Sequence, residues 1–160
     1  MAEEILATKS NLDPRDYQCA NQLKTRALLK LGRVDDCLQT IEQVNLPFDK
    51  GFLMTKGRAL QAKNSFREAL SVFHDLYYNH SKKKNDKKVH GLALGRQYQY
   101  VGQHQEALTI FKQLRTDRSG HEGTPCHDKE VELGLGLLYQ DMEQYQSAST
   151  TFKQFRPLWA

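Results

Sequence analysis

The chain has few of the residues that staple or anchor small proteins: its 160 residues include 3 cysteines, 4 prolines and 1 tryptophan. An odd number of cysteines with no close pair argues against a disulfide framework. No apolar run approaches the roughly 20 residues of a membrane-spanning helix. The opening, Met1-Ala2-Glu3-Glu4-Ile5-Leu6, has no basic region followed by an apolar stretch, so no secretory signal is visible. These absences point to a reducing, aqueous compartment, and a cytoplasmic location is expected. With 39% apolar residues, the composition suits a slim helical array with much exposed surface. The formal net charge of +4 is local. Lys82, Lys83, Lys84, Lys87 and Lys88, offset by Asp86, account for it, and the remainder of the chain balances. Such a run reads either as a solvated connector or as a nucleic-acid patch.

A five-point pattern occurs four times. A small residue is followed by Leu or Tyr three positions later, a small residue at twelve, Ile or Phe at sixteen and an apolar residue at nineteen. The copies are Thr25, Leu28, Cys37, Ile41, Val44; then Gly57, Leu60, Ala69, Phe73, Leu76; then Gly95, Tyr98, Ala107, Phe111, Leu114; and last Gly136, Tyr139, Ala148, Phe152, Phe155. Offsets of three and four are helical, and turn signals such as Leu31-Gly32-Arg33 and Val101-Gly102-Gln103 fall midway. Each copy therefore predicts a helical hairpin, with small residues where two backbones approach. Gly91, Gly95, Gly134 and Gly136 are expected to permit such contacts, so Gly134-Leu135-Gly136 is not a phosphate loop. Tyr77, Tyr78, Tyr98, Tyr139 and Tyr145 are expected at core or hairpin-packing positions.

A two-helix unit with Leu94-Gly95-Arg96-Gln97-Tyr98 and Ala107-Leu108-Thr109-Ile110-Phe111, echoed by Leu135-Gly136-Leu137-Leu138-Tyr139 with Ala148 and Phe152, resembles the tetratricopeptide repeat. The second copy departs from the pattern at Lys56, and the first at Thr25 and Cys37. Copies are offset by 32, 38 and 41 residues, so the hairpins are constant while the connectors lengthen. The resemblance covers roughly residues 15–156. It implies an all-α, right-handed superhelical solenoid of antiparallel hairpins, near 15–45, 48–79, 87–116 and 125–156, forming one domain over 13–160. Residues 1–12 would be an N-terminal stub or capping helix, because Asn11-Leu12-Asp13-Pro14 resembles a repeat end.

Asp13-Pro14 is a strong helix start, Asn45-Leu46-Pro47 a break, residues 117–124 a loop by composition, and Thr124-Pro125 a second helix start. Asn64-Ser65 and Gly102-Gln103 are turns too short for anything but antiparallel neighbours.

The resemblance further implies that first helices line a concave groove where peptides or partner helices bind. The residue after each small one would point into it: Arg26, Arg58, Arg96 and Leu137. On the same faces follow Leu29, Gln61, Gln99 and Gln140, and three residues earlier stand Gln22, Met54, Leu92 and Leu133. Tyr100 and Asp141 would flank the same groove. Guanidinium groups bind carboxylates and phosphates bidentately. The groove is therefore expected to take an acidic or extended protein segment, unless the arginines are paired with neighbouring carboxylates. Arg stands where the chaperone-binding members of the family carry the Asn of their carboxylate clamp.

Catalytic chemistry is not expected, and neither a cofactor nor a metal is implied. His121, Cys126 and His127 match no common zinc spacing, and no nucleophile, base and orienting acid recur together. Cys126, near a helix start, would be reactive if exposed. The leading functional expectation is a protein-interaction module, acting as scaffold, adaptor or chaperone. RNA binding through the arginines and the lysine run is one alternative. A structural segment of a longer array is another, with end-to-end self-association through Leu158 and Trp159.

Overall fold

The computed structural model describes residues 13–116 and 128–155. Those residues are helical throughout apart from short turns. The helices are α1 (Pro14–Lys30), α2 (Val34–Val44), α3 (Lys50–Ala62), α4 (Phe66–His80), α5 (Lys84–Val101), α6 (His104–Thr116), α7 (Lys129–Asp141) and α8 (Tyr145–Phe155). The expectations for residues 1–12, the 117–124 loop, Thr124-Pro125, His121, Cys126, His127, Leu158 and Trp159 lie outside the described residues. The chain divides into two compact units, 1–65 and 66–160.

In the first unit, α1 starts as the sequence predicts. Pro14 occupies the first helical position, and the Asp13 carboxylate accepts from Arg15 N at 3.2 Å. The helix stops where Gly32 takes a φ of +75°, and α2 runs back to Asn45, which adopts the left-handed conformation at φ 49°. Helices α1, α2 and α3 pack on one another around Leu28, Cys37 and Ala59. Cys37 fills the small-residue position, fully buried, and its thiol donates to Thr25 O at 3.3 Å. Burial raises the pKa of that thiol.

α3 depends on α1 for its first turn. Asp49 caps it by accepting from Phe52 N at 3.0 Å. The same carboxylate accepts from Gln22 Nε2 at 2.9 Å and from the Gln18 amide. Cross-helix acceptance of this kind ties two first helices together through one side chain.

In the second unit, α5 packs on α4, α6 and α7, while α7 packs on α6 and α8. The buried centre is Leu94, Ile110, Phe111, Leu114, Leu135 and Leu138. Each such side chain contributes about 1.5–3 kcal/mol by leaving water. The repeating glycines do what their spacing predicts. A Cβ on Gly95 would stand 2.8 Å from Phe111 Cζ, and one on Gly134 would stand 2.9 Å from Phe111 Cε1. One phenyl ring is thus held between a glycine of its own hairpin and a glycine of the next. A Cβ on Gly136 would run into the Phe152 ring, and one on Gly91 into Leu114.

Three details differ from the sequence reading. The lysine run is largely helical, because α5 begins at Lys84 and only residues 81–83 connect it to α4. The fourth hairpin's first helix is capped by Asp128, which accepts from Glu130 N at 3.0 Å. Tyr77 is buried as expected, but its neighbour Tyr78 is exposed, set edge-on to Tyr77 and against His74. A one-residue step along a helix turns the side chain by about 100°, so both tyrosines cannot face the core. Tyr98 is half-buried, and its phenol pKa is raised by burial first and then by nearby Tyr78 and Glu106.

Candidate partner-binding groove

Helices α5 and α7 lie side by side because Phe111 packs against a glycine on each. That close approach leaves a cleft of about 490 Å³ on their shared face. Arg96, Gln99 and Tyr100 line it from α5, and Leu133, Gly134, Leu137 and Asp141 from α7. Spacings of three and four put each set on one helical face.

The floor is apolar and open to solvent: Leu133 and Leu137 are 45% and 44% exposed. Water-facing leucines at two consecutive turns of one helix form a contiguous patch rather than isolated surface residues. Tyr100 stands at the edge, 67% exposed, its ring stacked on Phe66 with centroids 6.1 Å apart. Across the far end, the Gln99 amide donates to the Asp141 carboxylate. The cleft therefore offers an aliphatic floor, an aromatic wall, a guanidinium group and one amide–carboxylate bridge.

Arg96 is exposed and forms no ion pair among the described residues, and the same holds for Arg26 on α1 and Arg58 on α3. Several other cations are paired. Arg33 meets Asp36 at 2.7 Å, Lys63 meets Asp35 at 2.8 Å, and Arg115 grips the buried Glu132 with two bonds of 2.6 and 2.7 Å. The expectation that neighbouring carboxylates neutralise the arginines is not met among the described residues.

The other positions expected to line a groove vary. Met54 and Gln61 on α3 are half-buried, and Gln140 on α7 is exposed. Leu92 is 7% exposed and belongs to the core, because it faces inward one turn before Gly95. Gln22 is occupied by Asp49, and Leu29 packs on the Leu28–Cys37–Ala59 cluster. Sequence reasoning missed the partners of the two glutamines. Asp49 reads as an ordinary helix cap, and only its place opposite α1 makes it an acceptor for Gln18 and Gln22. It also missed a second concavity, where α4 joins α5.

Among the described residues, no three His, Cys, Asp or Glu side chains come together as a metal-holding group. No described helix is long and apolar enough to cross a membrane.

Helical hairpins closed by glycine–phenyl contacts, with a cleft along their first helices, define a repeat protein of the tetratricopeptide type. The sequence family described as "Psidin, N-terminal TPR repeats region" matches residues 5–119. That is well over half of the chain, which belongs to this family. The structure is similar to a crystal structure of Podospora anserina kinesin light chain nearly identical TPR-like repeats. The TM-score is 0.76 and the identity 21%, with 97% of this chain and 82% of that chain covered. At that identity the likeness establishes the fold alone. None of the curated proteins matches this sequence.

Proposed function

We propose that this chain is a protein-interaction module, a scaffold, adaptor or chaperone, whose groove binds an acidic, extended partner segment. The observation that carries the reading is Arg96, exposed in the α5–α7 cleft and without an ion pair among the described residues; Arg26 on α1 and Arg58 on α3 are likewise exposed and form none there. An exposed guanidinium beside an apolar floor suits a peptide in which acidic and aliphatic residues alternate. The charge takes a carboxylate bidentately, and Leu133, Leu137 and Tyr100 bury the apolar residues. Gln140, exposed on α7, supplies an amide for the peptide backbone. The fold supports this use, because tetratricopeptide-type repeats are commonly interaction modules rather than catalysts.

The test has two stages. Wild type and an Arg58→Glu/Arg96→Glu variant are used as bait in lysate, with and without nuclease. The retained protein's binding segment is then synthesised and titrated by fluorescence anisotropy. Charge reversal should weaken that peptide by about 1–3 kcal/mol per arginine, roughly five- to 150-fold, without changing the helical circular dichroism. Equal affinities for both forms would remove the arginines from the site. Retention abolished by nuclease would favour RNA as the ligand, for which the lysine-rich start of α5 is the supporting feature.

A further inference from the structure

A concavity of about 450 Å³ lies where α4 joins α5, apart from the groove. Lys82, Lys83, Lys84, Lys87 and Lys88 line it, and Leu114 of α6 forms its apolar side. Ser81 and Asn85 complete the wall, and no described carboxylate lines it.

Two features make this arrangement unfavourable when empty. Ammonium groups crowded into seven consecutive residues repel one another, and a concave wall concentrates their field. Three of them, Lys84, Lys87 and Lys88, also stand in the first two turns of an 18-residue helix, where the helix dipole favours anions and disfavours cations. The residue at the N-cap is Lys83, which makes no side-chain cap bond, because an ammonium group has nothing to accept with. Asp86 is the acidic residue of that turn. Compensation reaches Lys88, which meets Asp128 at 2.8 Å and Glu130 at 3.1 Å. The bond to Asp128 is the main cause of its raised pKa. Lys82, Lys83 and Lys84 make no ion pair among the described residues. Local electrostatics that conflict with helix formation mark positions retained for another purpose.

An anion seated here resolves both conflicts, since it neutralises the lysines and sits at the end of the helix that favours negative charge. The residue type narrows its chemistry. Arginine's planar fork suits carboxylates, whereas lysine is a point charge that serves phosphate oxygens from any direction. Among the described residues, lysine is the cation that lines the cleft, and a volume of about 450 Å³ accommodates a few phosphate groups. We infer that it binds a compact ligand carrying two or more phosphate groups. Leu114 would meet the ligand's carbon skeleton. The site is distinct from the groove: Lys84 and Arg96 are twelve residues apart on α5, about 18 Å along the helix.

The experiment is isothermal titration calorimetry of the full chain with inorganic tripolyphosphate, orthophosphate and a single-stranded RNA oligonucleotide, alongside thermal-shift measurements. Tripolyphosphate should bind wild type more tightly than orthophosphate and raise its Tm. The Lys83→Ala/Lys87→Ala variant should lose at least about tenfold in tripolyphosphate affinity. Lys84→Glu should melt higher than wild type without ligand, because it corrects the helix end, yet show a smaller shift with tripolyphosphate. Arg96→Glu should bind tripolyphosphate as wild type does. Sedimentation with phosphatidylcholine vesicles, with and without phosphatidylinositol bisphosphate, assigns the phosphate groups to a membrane headgroup or to a free ligand. The inference is overturned if wild type binds no tripolyphosphate, or if the double alanine variant binds it equally well. It is also overturned if RNA binds more tightly than tripolyphosphate at about 150 mM salt, where the Debye length is about 8 Å.

Discussion

Replacing Gly95 with alanine sets helix propensity against packing. In an open helix interior the change stabilises by about 1 kcal/mol. Here the new methyl would lie 2.8 Å from Phe111 Cζ and 2.9 Å from Cε1, while carbon contacts settle at about 3.5–4.0 Å. The ring has little room to retreat. Phe111 is fully buried, and Gly134 of the next hairpin also stands close against its Cε1 and Cζ atoms. Overpacking of this order costs about 1–3 kcal/mol, so Gly95→Ala should destabilise by about 1 kcal/mol net, and Gly95→Leu by about 3 kcal/mol. Phe111→Leu alone should cost about 2 kcal/mol. In combination with Gly95→Ala it should cost about 1 kcal/mol less than the two changes added, because the methyl then has space. Urea titration followed by circular dichroism measures all four forms. Repeat arrays can unfold in steps, so hydrogen exchange at the α5 and α6 amides gives a local second reading. A Gly95→Ala protein as stable as wild type, or strict additivity in the cycle, would refute the placing of the ring against Gly95.

Asp49→Ala should cost about 2 kcal/mol, because it removes the cap of α3 and the acceptor used by Gln18 and Gln22. Asp49→Asn, still a good cap, should recover a large part of that loss in the same denaturation assay. Alkylation with iodoacetamide at about pH 8, just below the ordinary thiol pKa, should label exposed Cys19 while sparing Cys37. The sign follows from burial: a raised pKa leaves less thiolate at that pH, and the sulfur is also out of reach. Peptide mapping by mass spectrometry reads both sites, and rapid modification of native Cys37 would contradict its place in the core.

The fold was legible because its rule is local. A glycine twelve residues before an alanine and sixteen before a phenylalanine states which faces meet, and Gly95, Ala107 and Phe111 meet accordingly. The exposed faces carry no such constraint, so the groove was legible only in part. Arg96, Tyr100 and Gln99 could be placed by register, whereas Leu92 could not be told from a floor residue, since an apolar side chain serves core and groove alike. Glu132 shows the limit most clearly. A carboxylate inside Val131-Glu132-Leu133 gives no sign of being 1% exposed, because the guanidinium that holds it belongs to Arg115, seventeen residues earlier on another helix. The lysine run misled for the opposite reason. Its composition is that of a solvated loop, and its helix forms because α5 is carried by its buried middle, from His90 to Gln97.

The bond between α1 and Asp49 has a consequence for the order of events during synthesis. Gln18 and Gln22 leave the ribosome with the first hairpin, but their acceptor is encoded 31 and 27 residues later. Until that residue arrives, the Gln18 and Gln22 amides lack their Asp49 acceptor, and the first hairpin is an unfinished piece. The arrival of Asp49 then ends one helix's exposure and begins the next helix in a single step. Growth of the array at this junction is therefore recorded in one carboxylate, and fraying from the N-terminal end should stop or continue there as a unit.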